Sequence, residues 1–299
     1  MKKHNSVVII GGTHGNEITG VHWLKNWPKN RSYNAFNDLT IETLLSNEAA
    51  IKQNKRYLDH DLNRCFKLTD LNDQSANSRE QQLAKVINQK YGPKGNPKTD
   101  FMIDLHTSTA NMQTNLVLIK LDDFHIKLAA FLKKQIPDLV VTSEANLMSD
   151  HHFVCSIANK SAVVEVGPVP QGALDGEVYS KTDKAVIKCL EFYQSYQKDG
   201  SLDIAEEFEV MSYYEKLYFP LDENGDIAAT VHPDLIGKAY PKICSGDPIF
   251  RDFQGNDIVY QREDTHAAFI NEAAYYDQKI ALCLCNPIVY SSKTLKPVK

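Results

Sequence analysis

Short apolar runs alternate with helical segments over the first two-thirds of the sequence, and this alternation constrains the fold more than any other feature. The apolar runs are typical of strands buried on both faces, and they lie at Ser6–Ile10, Phe101–Ile103, Leu116–Ile119, Leu139–Thr142 and Ala162–Val166. Helical periodicity begins at Ile18 and recurs at Arg79–Tyr91, Asp123–Lys134 and Thr182–Gln197. The pattern predicts an α/β domain with a largely parallel sheet flanked by helices. The active site of such a domain lies in the loops at the carboxyl ends of the strands.

The sequence changes in character near residue 200. Long helical periodicity ends there, and short β-type runs such as Phe208–Met211 and Ile227–Val231 are separated by turns rich in Asp, Asn and Gly. We therefore predict two domains, a catalytic domain over 1–200 and a smaller, mostly β domain over 201–299.

Composition and charge exclude several classes of protein. The 33 Lys and Arg residues are outnumbered by 38 Asp and Glu residues, and no dense basic run is present, so a nucleic-acid partner is not expected. No stretch reaches the roughly 18 apolar residues of a membrane span. The six cysteines lack CxxC spacing, which is typical of reduced thiols in a cytoplasmic protein. These features favour a protein that acts on a small molecule.

The strongest local signal is the segment GGTHGNE, which directly follows the first predicted strand. Its His14 and Glu17, three residues apart, can bind one cation together, and His106 ends another predicted strand at the same edge of the sheet. Two histidines and one glutamate form the ligand set of a catalytic zinc site that keeps a fourth position open. The alternative is that His14 and Glu17 are an ordinary pair at a helix start. His151 and His152 are adjacent and point apart, so we expect them to be loop residues.

A polar segment supplies candidate groups for an anionic substrate. Arg56 and Arg64 offer guanidinium groups that bind carboxylates through two hydrogen bonds, and Asn63 adds a neutral donor beside them. The alternative is a solvated charged face.

Glu165 interrupts an otherwise apolar predicted strand just before a Gly-Pro turn. A charge there is costly unless it is paired or used. Burial raises the pKa of a glutamate toward neutrality, which suits a group that takes a proton from water and returns it to a leaving amine. The alternative is a glutamate at a strand end that points to solvent.

Together these segments resemble the aspartoacylase/succinylglutamate desuccinylase family of zinc-dependent N-acyl-amino-acid hydrolases, whose first domain is similar to zinc carboxypeptidases. The matching segments, in chain order, are GGTHGNE, RYLDHDLNR, FMIDLH, VEVGPVPQG, DENGDIAATVHPDL and INEAAYY. They run nearly from end to end of the chain. The last two separate this family from true carboxypeptidases.

The resemblance implies roles at the reacting centre. His14, Glu17 and His106 would bind one Zn²⁺ per chain. Glu165 would act as general base and then as acid, and Arg56 would polarise the scissile carbonyl and stabilise its oxyanion.

The resemblance also implies how the substrate is bound. Asn63 and Arg64 would bind its α-carboxylate, Tyr275 would contact its side-chain carboxylate, and Glu272 would orient the arginines. The C-terminal domain would cover the cleft and narrow its entrance.

One position departs from the aspartoacylase pattern. In aspartoacylases an arginine ten positions before the catalytic glutamate helps to bind the aspartate β-carboxylate, whereas this chain has Cys155. Either His151 or His152 replaces the arginine, or the pocket accepts an aromatic or neutral side chain.

The expected reaction is therefore hydrolysis of N-acetyl-L-aspartate to acetate and L-aspartate. Two alternatives stay open: a deacylase of other N-acyl amino acids, with aromatic or neutral side chains, and a catalytically silent zinc-binding relative. A metallocarboxypeptidase is disfavoured by the C-terminal segments. Homodimer formation is suggested by the habit of the family alone.

Overall fold

Fourteen strands and six α-helices are found in the computed structural model, which describes residues 5–29, 31–198 and 200–298. The strands are β1 (Ser6–Gly11), β2 (Thr40–Leu45), β3 (Phe101–Thr107), β4 (Gln113–Leu118), β5 (Leu139–Ser143), β6 (Lys160–Gly167), β7 (Glu207–Tyr218), β8 (Ala229–Val231), β9 (Lys242–Ile243), β10 (Pro248–Asp252), β11 (Asp257–Val259), β12 (Thr265–Ala268), β13 (Ile280–Ser291) and β14 (Lys296–Pro297). The helices are α1 (Ile18–Asn26), α2 (Glu48–Gln53), α3 (Leu68–Asn72), α4 (Arg79–Tyr91), α5 (Asp123–Gln135) and α6 (Gly176–Gln197).

One mixed sheet of eleven strands organises the described chain, in the order β2-β1-β3-β6-β4-β5-β7-β13-β12-β9, with β14 paired to β13. From β2 to β7 every neighbouring pair is parallel except β6 with β4. The pairs beyond β7 are antiparallel. A separate three-stranded antiparallel sheet contains β11, β10 and β8. The predicted fold class, a largely parallel sheet with helices and a smaller β-rich C-terminal part, is confirmed.

The apolar runs are continuous because the central strands are covered on both faces. Val7 and Ile9 of β1 belong to the core cluster under α5 and α6, whereas Val8 and Ile10 belong to a second cluster on the opposite face. Successive side chains of a strand point to opposite faces, so both must be apolar here. This burial holds β1 in the interior of the protein, between β2 and β3, directly before the GGTHGNE segment.

Several elements differ from the sequence prediction. β2 was not predicted because it is an edge strand with no buried residue, and it lacks an apolar run. α6 begins six residues before the predicted Thr182 because the Asp175 side chain caps Glu177 and Val178, with both N–H to O distances 2.9 Å. The 200/201 domain division stays a prediction, and the main sheet contains strands from both sides of it.

Two sequence-level expectations concern cysteines and membranes. All six cysteines are free thiols. None of the helices in the described ranges is long and apolar enough to cross a membrane. The cytoplasmic location and the homodimer stay predictions.

Glycines in the first loop let it pass close to its neighbours. Gly12 has a φ of +72°, which disfavours other residues, and a Cβ at Gly15 would lie 2.2 Å from the backbone carbon of Ala50. The Gly15 N–H donates to the Arg56 carbonyl at 3.1 Å. Only a residue without a side chain therefore allows the loop to pass this close to the α2 backbone.

We expect Gly15→Ala to lower the free energy of unfolding by about 3 kcal/mol, because backbone rather than a flexible side chain blocks the added methyl group. Chemical denaturation measures the loss. Gly176→Ala is the matched control, since Gly176 has open space around its Cβ position and opens α6. It should leave stability unchanged or slightly higher. Equal stability of the two variants would contradict this account of the loop.

Candidate metal centre and active site

Three buried side chains converge where β1 and β3 end. His14 and Glu17 lie in the loop after β1, and His106 lies near the end of β3, the parallel neighbour of β1. The three residues each offer one possible ligand atom, and these three atoms lie within 4.8 Å of one another. Each residue is at most 4% exposed. The predicted ligand set is thus assembled in one place.

The Glu17 carboxylate is the centre of this group. One oxygen lies 2.6 Å from His14 Nδ1, and the other lies 2.8 Å from His106 Nδ1 and accepts from the Thr107 N–H at 3.1 Å. Burial raises the pKa of Glu17, but the two imidazoles outweigh burial and hold it well below its ordinary value. The carboxylate is therefore kept charged inside the protein.

Two further carboxylates fix the outer nitrogens of the imidazoles. Asp61 Oδ1 lies 3.0 Å from His14 Nε2, and Asp104 Oδ2 lies 2.8 Å from His106 Nε2. An outer carboxylate fixes the tautomer and ring orientation of a metal-binding histidine. With both Nε2 atoms engaged, both Nδ1 atoms face the centre of the group.

The sequence prediction gave no role to Asp61 or Asp104. Asp104 could have been noticed because it interrupts the apolar strand two residues before His106, on the same face. Its other oxygen accepts from Thr13 Oγ1 at 2.8 Å. Burial lowers the pKa of His106, but Asp104 and Glu17 together raise it well above its ordinary value.

The donor set fits a divalent zinc ion. Two imidazole nitrogens and a carboxylate oxygen are borderline and hard ligands of the kind zinc accepts, and the site already concentrates negative charge on Glu17, Asp61 and Asp104. A three-residue set leaves a coordination position for another ligand.

Arg56 lies beside this group. Its guanidinium donates to Glu17 Oε1 at 3.1 Å and to Asp61 Oδ2 at 3.1 Å and 3.3 Å. Burial lowers its pKa, but Asp61 and Glu17 raise it above its ordinary value, so it stays positively charged. These bonds hold Arg56 beside His14 and Glu17 in the wall of the same cavity.

Asn63 and Arg64 lie on a single helical turn, Leu62–Arg64. The side chain of Asp61 caps this turn by accepting a hydrogen bond from the Asn63 N–H at 2.9 Å. Asn63 Oδ1 accepts from the Val154 N–H at 2.8 Å. The Arg64 guanidinium lies 5.5 Å from the centre of the Phe153 ring. Within the described residues no carboxylate lies within ion-pair distance of Arg64, so its charge is available to an anion.

Glu165 lies on β6 directly beside His106 of β3 in the register of the sheet, and beside Asn115 of β4 on its other side. The pKa of Glu165 is raised to about 8, mainly by burial and in addition by the nearby Glu17 carboxylate. A carboxyl with such a pKa exchanges a proton near neutral pH.

The C-terminal part contributes Phe269, Glu272 and Tyr275 to the same cavity, and Phe269 and Tyr275 pack with ring centroids 5.5 Å apart. Glu272 accepts from the Ser108 hydroxyl and from the N–H groups of Ala110 and Ala274, both at 3.0 Å. No arginine among the described residues contacts Glu272. Two of these bonds anchor the loop after β3, and the expectation that Glu272 orients the arginines stays a prediction.

One cavity brings together every residue predicted for the site. These residues are His14, Glu17, Arg56, Asn63, Arg64, His106, Glu165, Glu272 and Tyr275. Its wall also contains Glu144, which the sequence prediction missed. Glu144 directly follows β5, and an acid just after an apolar strand is the signal that could have identified it.

Cys155 does not reach this cavity. It is fully buried in the core beside β3 and β6, in the turn Val154–Ile157. Of the candidates to replace the missing arginine, His151 lines a different cavity, and His152 lines a groove that adjoins the site. Neither histidine lines the site cavity itself.

Known proteins are similar to this chain in sequence and in fold. Residues 3–193 match the family model of the succinylglutamate desuccinylase/aspartoacylase catalytic domain, and residues 206–287 match the AstE/AspA barrel-sandwich hybrid domain. A "Probable aspartoacylase" of Trichodesmium erythraeum is 40% identical over 286 residues, covering 95% of this chain and 97% of that one. The N-acyl-aromatic-L-amino acid amidohydrolase (carboxylate-forming) of Xenopus tropicalis is 36% identical over 285 residues, covering 93% and 91%. The crystal structure of murine aminoacylase 3 superposes with a TM-score of 0.91 at 31% identity, covering 98% of each chain.

The fold is therefore zinc-carboxypeptidase-like, with a β-rich C-terminal part. The chain belongs to the succinylglutamate desuccinylase/aspartoacylase family.

We expect Asp104→Asn to weaken zinc binding 10- to 100-fold, because a neutral amide no longer fixes the protonated nitrogen of His106. Competition with a chromophoric chelator measures the affinity. Asp100→Asn is the control: this buried acid precedes the other end of β3 and pairs with Lys160 at 2.9 Å. Asp100→Asn should lower the free energy of unfolding but keep the zinc affinity of the wild type. A larger loss of zinc affinity in Asp100→Asn than in Asp104→Asn would contradict the role assigned to Asp104.

Proposed function

We propose that this protein is a zinc-dependent amidohydrolase that splits N-acyl-L-amino acids with uncharged side chains into a carboxylate and the free amino acid. One observation carries the proposal: the His14, Glu17 and His106 group shares its cavity with the partly desolvated Glu165 and with Arg64, which has no acidic partner in the described chain. A metal site, a proton carrier and an anion site are what amide hydrolysis of such a substrate needs.

His14, Glu17 and His106 would hold the zinc ion. When bound there, zinc supplies a Lewis acid and lowers the pKa of water at the site. The outer carboxylates Asp61 and Asp104 keep the imidazole Nδ1 atoms directed toward the Glu17 carboxylate, and so toward the place where the three residues would hold the ion.

Glu165 moves the proton. As a carboxylate it takes a proton from the attacking water on a side-chain oxygen, and as a carboxylic acid it gives that proton to the amide nitrogen that leaves. Its pKa of about 8 supports both steps, since neither form is strongly disfavoured near neutral pH.

Four residues would position the substrate. Arg56 polarises the scissile carbonyl and stabilises negative charge on its oxygen, while Asn63 and Arg64 bind the α-carboxylate. Tyr275 contacts the substrate side chain from the C-terminal part of the cavity.

The nature of that side chain follows from the cavity wall. Cys155 is buried outside the cavity, and neither His151 nor His152 lines it, so none of them supplies the cation that an acidic side chain needs. The apolar and aromatic wall of Val117, Val163, Phe153 and Phe269 suits an uncharged side chain instead. N-acetyl-L-aspartate is the second candidate, and the name of the Trichodesmium erythraeum relative supports it.

We expect Glu165→Gln to lower kcat at least 100-fold while the zinc content stays at one per chain, because the proton carrier is lost but no ligand is. Acetate release measures turnover, and elemental analysis measures zinc. Glu177→Gln, on the exposed start of α6, is the control and should keep full activity. An active Glu165→Gln enzyme would contradict the mechanism, and a wild type inactive with and without zinc would favour a silent relative.

We expect the zinc-loaded wild type to hydrolyse N-acetyl-L-tyrosine with a higher kcat/KM than N-acetyl-L-aspartate, because the wall is aromatic and lacks a second cation for the side chain. Acetate release from the two compounds, with a chelated sample as control, measures the preference. A preference for the aspartate compound would establish the second candidate in place of the first.

A further inference from the structure

A groove adjoins the cavity of the proposed active site. The two share Arg64, Glu144, Phe269 and Tyr275 as common wall. From there the groove extends along β7 past Tyr213. Glu144 and Arg64 thus lie at the junction between the proposed α-carboxylate site and the groove.

The backbone holds Glu144 firmly at this junction. It is the first residue after β5, and its N–H donates to the Leu118 carbonyl at the end of β4 at 2.9 Å. The preceding residue, Ser143, pairs with Ser212 of β7, which carries the groove wall. A half-buried acid fixed in this way is part of the cavity rather than of a freely moving surface loop.

The charge of Glu144 is not cancelled by an ion pair. In the described part of the chain no cation lies within ion-pair distance of its carboxylate, and its side chain has no hydrogen-bond partner there either. Burial raises the pKa of Glu144, and the positive charges of Arg64 and Lys216 oppose this rise without forming an ion pair with it. Lys216 is exposed and lines only the groove, whereas Glu144 lines the cavity as well.

We propose that Glu144 determines side-chain specificity by repelling substrates whose side chain carries a second negative charge. The inference rests on the proposed function, since it assumes that the α-carboxylate of the substrate binds at Arg64. With the α-carboxylate there, a side-chain carboxylate at the junction faces Glu144 in a partly desolvated space, where like charges repel strongly. A neutral side chain of the same shape meets no such repulsion.

A purely positional role for Glu144 gives a different result. If Glu144 only held Arg64 in place, its loss would weaken the binding of every N-acyl amino acid by the same factor. The ratio between an acidic and a neutral substrate of equal shape separates the two roles.

The experiment compares kcat/KM for N-acetyl-L-aspartate and N-acetyl-L-asparagine, which have the same shape and differ by one charge. The zinc-loaded wild type, Glu144→Gln and Glu144→Ser are assayed. We expect the aspartate-to-asparagine ratio to rise about tenfold or more in both variants. Lys216→Met is the control, because it removes a cation from the groove, and its ratio should not rise.

An unchanged ratio in both Glu144 variants, or an equal loss with both substrates, would overturn the inference while leaving the proposed function standing. A rise of the same size in Lys216→Met would also overturn it, because the effect would then not depend on the sign of the charge. Wild-type protein that hydrolyses neither compound, nor N-acetyl-L-tyrosine, would overturn the proposed function and this inference with it.

Discussion

The site depends on one buried carboxylate, Glu17, which two imidazoles and the Arg56 guanidinium hold in its charged form. A carboxylate in the interior is tolerated only with such partners. Each partner needs support of its own, which Asp61 and Asp104 supply to the imidazoles. The result is a chain of alternating carboxylates and imidazoles where the parallel strands β1 and β3 end. A divalent cation at the centre of this group would neutralise the remaining negative charge of the carboxylates.

The strand pairing of the sheet determines how these groups come together. The parallel pairing of β1 with β3, and of β3 with β6, delivers His106 and Glu165 to the same edge as the loop after β1. The C-terminal part then adds residues to the cavity wall, and Glu272 joins this part to the loop after β3 through two hydrogen bonds. Phe269 and Tyr275 of the cavity wall therefore come from a different part of the chain than His14, Glu17 and His106.

The sequence predicted the features that depend on local pattern. Buried strands, the glycine loop and the strand-end position of His106 follow from apolar runs and spacing, and so the metal group could be placed. Features that depend on tertiary register could not be predicted: which acid faces which imidazole nitrogen, which groups Glu272 contacts, and whether Cys155 points into the cavity or the core. β2 was not predicted because a half-exposed edge strand has no apolar run. Glu144 was not identified because its place in the cavity wall depends on where the end of β5 meets the groove.

The most direct test of this account is anomalous diffraction at the zinc absorption edge from crystals of the zinc-loaded protein. The account predicts one zinc ion per chain, bound by Nδ1 of His14, Nδ1 of His106 and the carboxylate of Glu17, with Glu165 beside it but not bound to it. Zinc found at other residues, with the Glu17 carboxylate still hydrogen-bonded to both imidazoles, would contradict the central claim that this group is a metal centre.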